Sequence, residues 1–413
     1  MNILFLCHRI PYPPNKGDKI RSFNEIKYLS REHNLYLAFL VDDERDLHYL
    51  EELTQYCSAL DYDVINPRWQ KLKSLPYLAT GKPLSIPYFY SEKLQRAINS
   101  RLKGAGIDAI VCFSSPMAEY VFRNDEYRAG SWNGTRLIMD FVDVDSDKWR
   151  MYAGFSRFPF SAVYRREWRR LQAYEKKVGE AFDWSIFVSE KEVELFASFC
   201  PGTRVVAVAN GVDPAYFAVK KPGAEVPHAD PVVLFIGAMD YFPNEDAVLY
   251  FAREIWPLVR KELPEAGFHV VGGNPSKKVT ALADKGSGIV VTGYVPDVRP
   301  YLVKADVFVA PFRIARGVQN KVLEAMAAGL PVVARPEAVQ GMSCHGGCIR
   351  VEESNESFAA AIVELIKEFE KRRKYISDAK KYVYCNFNWE NNLKILDNLC
   401  NQPLCDQKST RMR

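Results

Sequence analysis

The sequence lacks any long apolar run, since no segment reaches the roughly 18 uninterrupted apolar residues of a membrane-spanning helix. It also lacks a Gly-x-Gly-x-x-Gly fingerprint after its first strand-like run, which argues against a dinucleotide-dependent oxidoreductase. The apolar run at the start is only a strand's length and meets an arginine and three prolines at once, so we expect no signal peptide.

Cysteine is present in an odd number and without a framework spacing. Nine cysteines are scattered along the chain, and Cys7 and Cys112 lie in apolar runs typical of buried strands. This pattern fits free thiols in a reducing cytosol better than disulfides, so we expect a cytoplasmic protein. The segment Cys344–Cys348 has one histidine but no second ligand pair at zinc spacing, so we expect no metal.

Acidic residues are scarce in two segments, although the formal net charge is only +4. Nine Lys and Arg stand against two Glu in Lys148–Lys177, and four Lys and Arg stand against no acid in Arg68–Ser91. Both segments are rich in Trp, Tyr and Phe, a mixture that suits an anionic membrane surface. The alternative is a helix that packs its aromatics into the core beneath a solvated basic face. Nucleic acid could meet such a surface too, but the motifs described next argue against that partner.

A chain of 413 residues is too long for one ordinary core, so two domains are expected. Apolar strand-like runs alternate with helical stretches, which predicts parallel, doubly wound sheets. Prolines without periodicity predict a linker over 214–230, between domains 1–213 and 231–385, with a terminal helix and tail in 386–413. The predicted strands are Ile3–Cys7, Leu35–Val41, Ala109–Phe113, Leu137–Phe141, Ser185–Val188, Val205–Val208, Val232–Ile236, His269–Val271, Ile289–Thr292, Val307–Ala310 and Pro331–Ala334.

The most informative segment is residues 316–334, which predicts a glycine loop, a helix, a glycine stop and a buried strand. Asn320 is expected to cap a helix over Lys321–Ala328. Gly329 stands at the position that ends a helix, and Pro331 prevents its continuation. A loop-to-helix junction presents backbone N–H groups and the positive end of the helix dipole, which suits a diphosphate.

Two side chains of this helix supply complementary chemistry. Lys321 and Glu324 are three residues apart and therefore share a face. A cation for phosphates and a carboxylate for sugar hydroxyls are what a nucleotide-sugar site needs. The alternative is a structural helix on which Glu324 is only an exposed partner of Lys321.

These residues resemble the C-terminal signature of family 4 glycosyltransferases, which is Glu, seven residues, Glu, and then Ala-Met-Ala-x-Gly-x-Pro-Val-Val. The resemblance implies the α/β GT-B fold, in which two Rossmann-like doubly wound domains face a cleft. Glu324 matches the second glutamate, which bonds the donor ribose, whereas Arg316 stands where the first is usual. The opening Pro11–Arg21, with three further motifs, resembles the sugar transferases associated with exosortase/PEP-CTERM exopolysaccharide systems.

The diphosphate contacts depart from the family pattern. Many members hold the donor diphosphate with an Arg and a Lys at the start of the second domain, and these positions here are Ala238 and Asn244. We infer an exchange in which Arg316 and Lys321, with Arg313, neutralise the diphosphate. A guanidinium is well shaped for bidentate phosphate contact.

The resemblance also assigns the remaining donor contacts. The donor is expected to be a UDP- or GDP-sugar whose base lies beside Tyr294 and Val295. No separate cofactor is implied. The other expected donor contacts are Gly17, Gly237, Gly317, Val318, Gln319 and Asn320.

In the first domain, the loop after the first strand is the expected acceptor site. Gly17 allows close backbone approach, and Asp18, Lys19 and Arg21 are the expected acceptor-binding residues. The alternative is a proline-rich surface turn with a solvated charge cluster. Asp143 and Asp145 are expected on one side of an extended segment, where a catalytic or acceptor role is favoured over metal binding.

The function that this resemblance implies is sugar transfer with retention of configuration onto a glycan acceptor in exopolysaccharide biosynthesis. The acceptor is expected to be lipid-linked. No metal is expected, and the enzyme would be cytoplasmic or peripheral on the inner membrane face. Two alternatives stay open: a nucleotide-sugar-binding protein without transferase activity, and a nonhydrolysing nucleotide-sugar epimerase of the same fold.

Arg316→Glu tests the charge exchange, because it restores the family glutamate yet places a negative charge beside the diphosphate. We expect nucleoside-diphosphate binding to weaken by about 1 kcal/mol or more, as measured by titration calorimetry. Arg316→Gln removes the charge without reversing it, so its affinity for the nucleoside diphosphate should lie between those of wild type and Arg316→Glu. Unchanged affinity in the glutamate variant would contradict the exchange.

Overall fold

The chain forms two compact units in the computed structural model. Unit 1 consists of Met1–Ala209 together with the chain from Glu390 onward, and unit 2 consists of Asn210–Trp389. Within the described part of the chain, none of the helices combines the length and apolar character that a membrane crossing requires. The residues described are 1–130, 132, 134–217, 230–284, 286–315, 318–344 and 347–402.

Unit 1 is built on a seven-stranded parallel sheet. Its strands are β1 (Asn2–Cys7), β2 (Asn34–Val41), β3 (Ala59–Val64), β4 (Ala109–Phe113), β5 (Arg136–Val142), β6 (Trp184–Phe187) and β7 (Val205–Ala207). The order β3-β2-β1-β4-β5-β6-β7 reverses direction between β1 and β4. The central strands are continuous apolar runs because both faces of a parallel sheet are covered.

Helices connect these strands, and several start at a side-chain cap. Ser91 and Ser189 each accept a hydrogen bond from a backbone N–H in the first turn of the helix that follows. The helices are α1 (Gly17–Leu29), α2 (Leu50–Thr54), α3 (Pro67–Ser74), α4 (Ser85–Tyr88), α5 (Glu92–Gly104), α6 (Ala118–Phe122), α7 (Asp125–Arg128), α8 (Asp145–Phe155), α9 (Phe160–Ala181) and α10 (Glu190–Phe199).

Unit 2 repeats the architecture with six parallel strands. They are β8 (Val232–Ile236), β9 (Gly267–Val271), β10 (Ile289–Gly293), β11 (Val307–Ala310), β12 (Val332–Ala334) and β13 (Arg350–Val351). The order β10-β9-β8-β11-β12-β13 reverses between β8 and β11. The helices are α11 (Pro214–Phe217), α12 (Phe242–Tyr250), α13 (Trp256–Glu262), α14 (Lys277–Thr280), α15 (Arg299–Lys304), α16 (Asn320–Ala327), α17 (Asn355–Lys367) and α18 (Phe369–Asn386).

The last described helix, α19 (Trp389–Asn401), carries the chain back to unit 1. Its leucines Leu393, Leu396 and Leu399 are buried. His33 of unit 1 lies 2.6 Å from the Asp397 carboxylate, measured from Nε2 to Oδ1. The helix is therefore fixed to unit 1 by apolar burial and by a polar contact.

The predicted α/β class with two doubly wound parallel sheets is confirmed. The division between units falls after Ala209 rather than at 213, because Val212 donates to the carbonyl of Phe387 (2.9 Å) within unit 2. Within the predicted linker, 214–217 form α11, and 218–229 lie outside the described residues. The prediction did not include β3, whose apolar residues alternate with two aspartates, or β13, which has only two residues.

Six of the described cysteines are free thiols. The sulfur atoms of Cys344 and Cys348 are placed as a pair, but one pair is not a disulfide framework, so free thiols predominate among the described cysteines as predicted. The histidine between them and Cys405 lie outside the described residues.

Leu396→Ala tests the attachment of α19 to unit 1. Leu396 is 1% exposed, so we expect a loss of about 2–5 kcal/mol of unfolding free energy, followed by chemical denaturation. Ile395→Ala is the matched control, because Ile395 is 37% exposed on the same helix. Equal effects of the two substitutions would show that α19 does not pack as described.

Candidate functional site

The loop-to-helix junction of unit 2 forms largely as predicted. Helix α16 starts at Asn320 with Gln319 at the N-cap, so the expectation that Asn320 caps it is wrong by one residue. The Asn320 side chain instead accepts a hydrogen bond from the Asn210 amide (2.9 Å). Gly329 ends the helix with φ of 77°, a conformation that favours glycine.

Lys321 is the best-defined charged group of this junction. Its Nζ donates to Oδ1 of Asn244 (2.6 Å) and lies 4.9 Å from the ring centre of Phe312 and 5.5 Å from that of Phe235. Burial lowers the pKa of the Lys321 amine to about 8, although the nearby Glu324 carboxylate acts in the opposite direction. An ammonium in such surroundings attracts an anion more strongly than a solvated lysine does.

Glu324 shares this partly buried environment. Burial raises the pKa of its carboxyl to about 7, while Lys321 acts to lower it. The two groups sit one helical turn apart, so the predicted pairing of a cation and a carboxylate on one face is present. Near neutral pH, Glu324 is therefore able to accept or donate a hydrogen bond to a sugar hydroxyl.

Asn244 orients the Lys321 side chain, a role that its position in the sequence did not reveal. Its side chain is buried, and its Nδ2 donates to the carbonyl of Ala238 (2.7 Å) while its Oδ1 holds Lys321. At the position where many family 4 members carry a lysine, this chain thus has an amide that orients the lysine of another helix. The sequence pattern indicated only the missing charge.

Glycines bring the loops after β8 and β9 together. A Cβ on Gly272, whose φ is 149°, would lie 1.8 Å from the carbonyl oxygen of Gly237. A Cβ on Gly237 would in turn lie 3.1 Å from Nζ of Lys321. The predicted donor residue Gly237 therefore lies beside Lys321, where strand order reverses and open α/β sheets bind ligands.

The other predicted donor residues lie at the same sheet edge or outside the described residues. Arg313 follows β11, but its guanidinium forms a bidentate ion pair with Asp246 and lies 4.6 Å from the ring centre of Tyr250. Its role at a phosphate stays a prediction, in competition with that carboxylate. Val318 is buried just before α16. Arg316 and Gly317 lie outside the described residues.

The residues predicted beside the nucleobase follow β10. Tyr294 is 74% exposed, and Val295 is half-buried next to it. The Tyr294 side chain lies near Gly273, which follows β9, so three neighbouring strand ends contribute to this edge of the sheet. Among the described residues, no three His, Cys, Asp or Glu side chains are grouped as a metal ion would require.

In unit 1, the end of β1 carries a histidine that the sequence analysis did not select. His8 Nε2 lies 3.3 Å from the Asp18 carboxylate, and the His8 ring stacks on Phe113 at 6.0 Å. Burial opposes ionisation of Asp18, but His8, Arg9 and the Lys19 N–H outweigh it and hold the pKa of Asp18 well below its usual range. The position of His8 directly after a buried strand was the available signal.

The predicted acceptor residues of this loop differ in exposure. Gly17 is exposed as the first residue of α1. Asp18 is partly exposed beside His8, whereas the amine of Lys19 is buried against Asp46 (2.6 Å). Gly17 and Asp18 are therefore better placed to meet a ligand than Lys19 is.

Arg21 lies fully inside unit 1. Its Nε lies 2.7 Å from Asp140 and 3.0 Å from Glu25, and its Nη1 donates to the carbonyl of Val208 (2.8 Å). Burial, with repulsion from Asp140, raises the pKa of Glu25 well above its usual range. This network joins α1 to the ends of β5 and β7, so the geometry gives Arg21 a positioning role rather than direct contact with an acceptor.

Two non-glycine residues with positive φ mark the same sheet edge. Ser114, directly after β4, has φ of 75°, and Val142, the last residue of β5, has φ of 68°. A β-branched residue in this region is strained, and such strain is concentrated at functional sites. The Val142 N–H donates to Asp140 (2.8 Å), which helps to hold it in place.

Asp143 and Asp145 follow the strained end of β5, but they do not share one extended segment. Asp145 is the first residue of α8, so the expectation of an extended run is wrong there. Glu192 accepts a hydrogen bond from the N–H of Val144 between them (2.7 Å). Burial, with repulsion from Asp143, raises the pKa of Glu192 to about 7. The loop is therefore anchored, with both carboxylates partly exposed.

Comparison with known proteins follows the division into units. Residues 230–368, most of unit 2, match the family model described as glycosyl transferases group 1. No curated protein sequence matches the chain. The matched region contains Gly237, Asn244, Lys321 and Glu324, so the model and the geometry select the same part of the molecule.

Solved structures resemble the whole chain at low sequence identity. Sucrose-phosphate synthase from Thermosynechococcus elongatus has a TM-score of 0.72 at 15% identity, covering 96% of this chain and 98% of that one. HepE of Anabaena in complex with UDP has a TM-score of 0.67 at 14% identity, covering 96% and 99%. WaaG, a glycosyltransferase involved in lipopolysaccharide biosynthesis, has a TM-score of 0.62 at 15% identity, covering 97% and 100%. The chain therefore has the GT-B fold.

The lowered pKa of Lys321 predicts how diphosphate binding depends on pH. Above about pH 8 the free protein must take up a proton to present an ammonium, so affinity should fall by up to about tenfold per pH unit. Calorimetry with UDP and GDP between pH 7 and pH 9 measures this. Lys321→Arg keeps its charge throughout this range, so its pH dependence reports only the titration of the ligand. Equal dependence of affinity on pH in wild type and Lys321→Arg would contradict a contact between Lys321 and the diphosphate.

Proposed function

We propose that the protein is a retaining, metal-independent glycosyltransferase that moves a sugar from a UDP- or GDP-sugar to a glycan acceptor. The observation that carries this proposal is the Lys321 amine at the start of α16, held by Asn244 beside the rings of Phe235 and Phe312. It stands at the strand reversal of the unit that matches the group 1 model. Each of these features favours a diphosphate.

Different strand ends of unit 2 contact different parts of the donor. The diphosphate lies at the N-terminus of α16 against Lys321, with Arg316 as a second cation. Glu324 takes the ribose hydroxyls, and the base lies beside Tyr294 and Val295. HepE, which resembles this chain in fold, has been solved with UDP and with UDP-glucose, and this supports a uridine nucleotide as the donor.

The reaction needs little covalent chemistry from the protein. The acceptor hydroxyl oxygen forms a bond to the anomeric carbon as the bond from that carbon to the diphosphate oxygen breaks. The leaving diphosphate takes the electron pair, and one of its oxygens receives the acceptor proton on the same face. Catalysis then consists mainly of charge stabilisation by Lys321 and of positioning.

Unit 1 takes the acceptor at the carboxyl edge of its sheet. His8 and Asp18 at the end of β1, and Asp143 after β5, are the polar groups there that suit sugar hydroxyls. The acceptor is a lipid-linked glycan of exopolysaccharide biosynthesis, and the enzyme acts peripherally at the inner membrane face. TarM in complex with α-GlcNAc-glycerol and UDP, and WaaG in lipopolysaccharide synthesis, are relatives by fold that support a glycan acceptor.

A second candidate is a nucleotide-sugar-binding protein without transferase activity. The observation that favours it is Arg316 at the position where family 4 enzymes carry a glutamate for the donor sugar. An epimerase of the same fold would instead convert the nucleotide sugar without any acceptor. Donor turnover with and without a lipid extract separates all three functions.

Thermal stabilisation by UDP, GDP, ADP and their sugars, with and without EDTA, tests the donor site first. We expect one nucleotide series to raise the melting temperature, with no effect of EDTA, and Lys321→Met to abolish the shift. Lys304→Met, an exposed lysine of α15, is the control and should behave as wild type. Release of nucleoside diphosphate that requires a lipid extract then supports transfer, and the absence of any shift would contradict the proposal.

A further inference from the structure

Unit 1 contains a cavity that lies outside the site described above. It has a volume of about 660 Å³, in the range of small-ligand sites, and is bordered by α6, α9 and the segment Gly81–Pro83. Its charged lining residues are the cations Lys82, Arg123, Arg128, Arg170 and Lys177 and the single carboxylate Glu119.

The charge balance of this cavity favours an anion. Glu119 is buried, and it already accepts from Nε of Arg123 (2.7 Å) and from the hydroxyl of Tyr174 (3.3 Å). Lys82 lies 3.8 Å from the same carboxylate. One negative charge thus faces five positive ones, and a concave surface with that excess concentrates anions.

Aromatic rings hold the cations at the cavity. Nζ of Lys177 lies 4.3 Å from the ring centre of Phe122, and the guanidinium of Arg123 lies 3.9 Å from that of Tyr90. Stacked guanidinium and ammonium groups are restrained, which lowers the entropy lost when they bind a phosphate.

Exposed apolar side chains lie on the part of the chain that leads into the rim segment Gly81–Pro83. Arg166 of α9 donates to the carbonyl groups of Thr80 (2.6 Å) and Lys82 (3.2 Å), and so fixes the rim segment and the turn before it to α9. That turn and α3 expose Trp69 (65%), Leu72 (54%) and Leu75 (54%). A soluble anion would make no contact with these apolar side chains, whereas a lipid leaflet would bury them.

We propose that this cavity binds the phosphate of an anionic membrane lipid, while Trp69, Leu72 and Leu75 enter the headgroup boundary. The two segments in which acids are scarce, Arg68–Ser91 and Lys148–Lys177, both contribute to this surface. This lipid site rests on the membrane location given in the proposed function, but it uses no residue of the donor site. The lipid site and the donor site can therefore be disproved separately.

The test compares two double variants on the same helix. Arg170→Glu with Lys177→Glu reverses two charges that line the cavity. Arg169→Glu with Lys176→Glu makes the same change of net charge with neighbouring exposed residues that do not line it. Both are assayed by sedimentation with vesicles of phosphatidylcholine, with and without phosphatidylglycerol, and nucleotide-induced thermal shift is recorded in parallel.

We expect wild type and the control variant to bind vesicles that contain phosphatidylglycerol, and the cavity variant to bind them more weakly by about tenfold or more. All three should keep the nucleotide shift. Leu72→Ser with Leu75→Ser should weaken vesicle binding with the cavity intact. Equal losses in the two charge variants would overturn the cavity site, and binding of glycerol phosphate without binding of vesicles would overturn the lipid assignment.

Discussion

Both sheets reverse their strand order beside their first strand, and the candidate sites depend on that constraint. Where the order reverses, the loops on either side diverge and leave the carboxyl ends of two neighbouring strands open. In unit 2 these are the ends of β8 and β11, and Lys321 lies against an aromatic residue from each side. In unit 1 they are the ends of β1 and β4, where His8 and the strained Ser114 are found.

The charged groups of unit 2 differ from those of the resembling family 4 glycosyltransferases at the proposed donor site. The amide of Asn244 replaces a charge with a hydrogen bond that orients Lys321. One well-placed ammonium with little water around it can match the attraction of two solvated cations, because its field is screened less. The same lack of water makes its charge sensitive to pH, as the lowered pKa of Lys321 shows.

Periodicity and turn residues were sufficient to predict most of the fold. The buried strands are uninterrupted apolar runs, and the residue types of Gly329 and Pro331 alone identify the end of α16. Edge strand β3 was missed although its sequence ALDYDV alternates apolar and acidic residues, which is the period of a half-buried strand.

The candidate site was less predictable, since it depends on contacts between residues far apart in sequence. No local pattern reveals that Asn244 contacts Lys321 or that Arg21 is buried against Asp140. The left-handed backbone at Val142 could not be predicted from the sequence either, because valine rarely adopts this conformation. The residues Arg170 and Lys177 could be identified from the sequence only as part of a basic helix face, not as the lining of a cavity.

The return of α19 to unit 1 means that unit 1 is built from two separate stretches of the sequence. Unit 1 is discontinuous, so a gene fragment that ends at Ala209 would omit a helix whose leucines are buried. Such a fragment would expose the apolar surface that α19 covers and would be prone to aggregate. Unit 2, by contrast, is one uninterrupted stretch and is the natural choice for isolated expression. Exchange of unit 2 by recombination would accordingly need two crossover points rather than one.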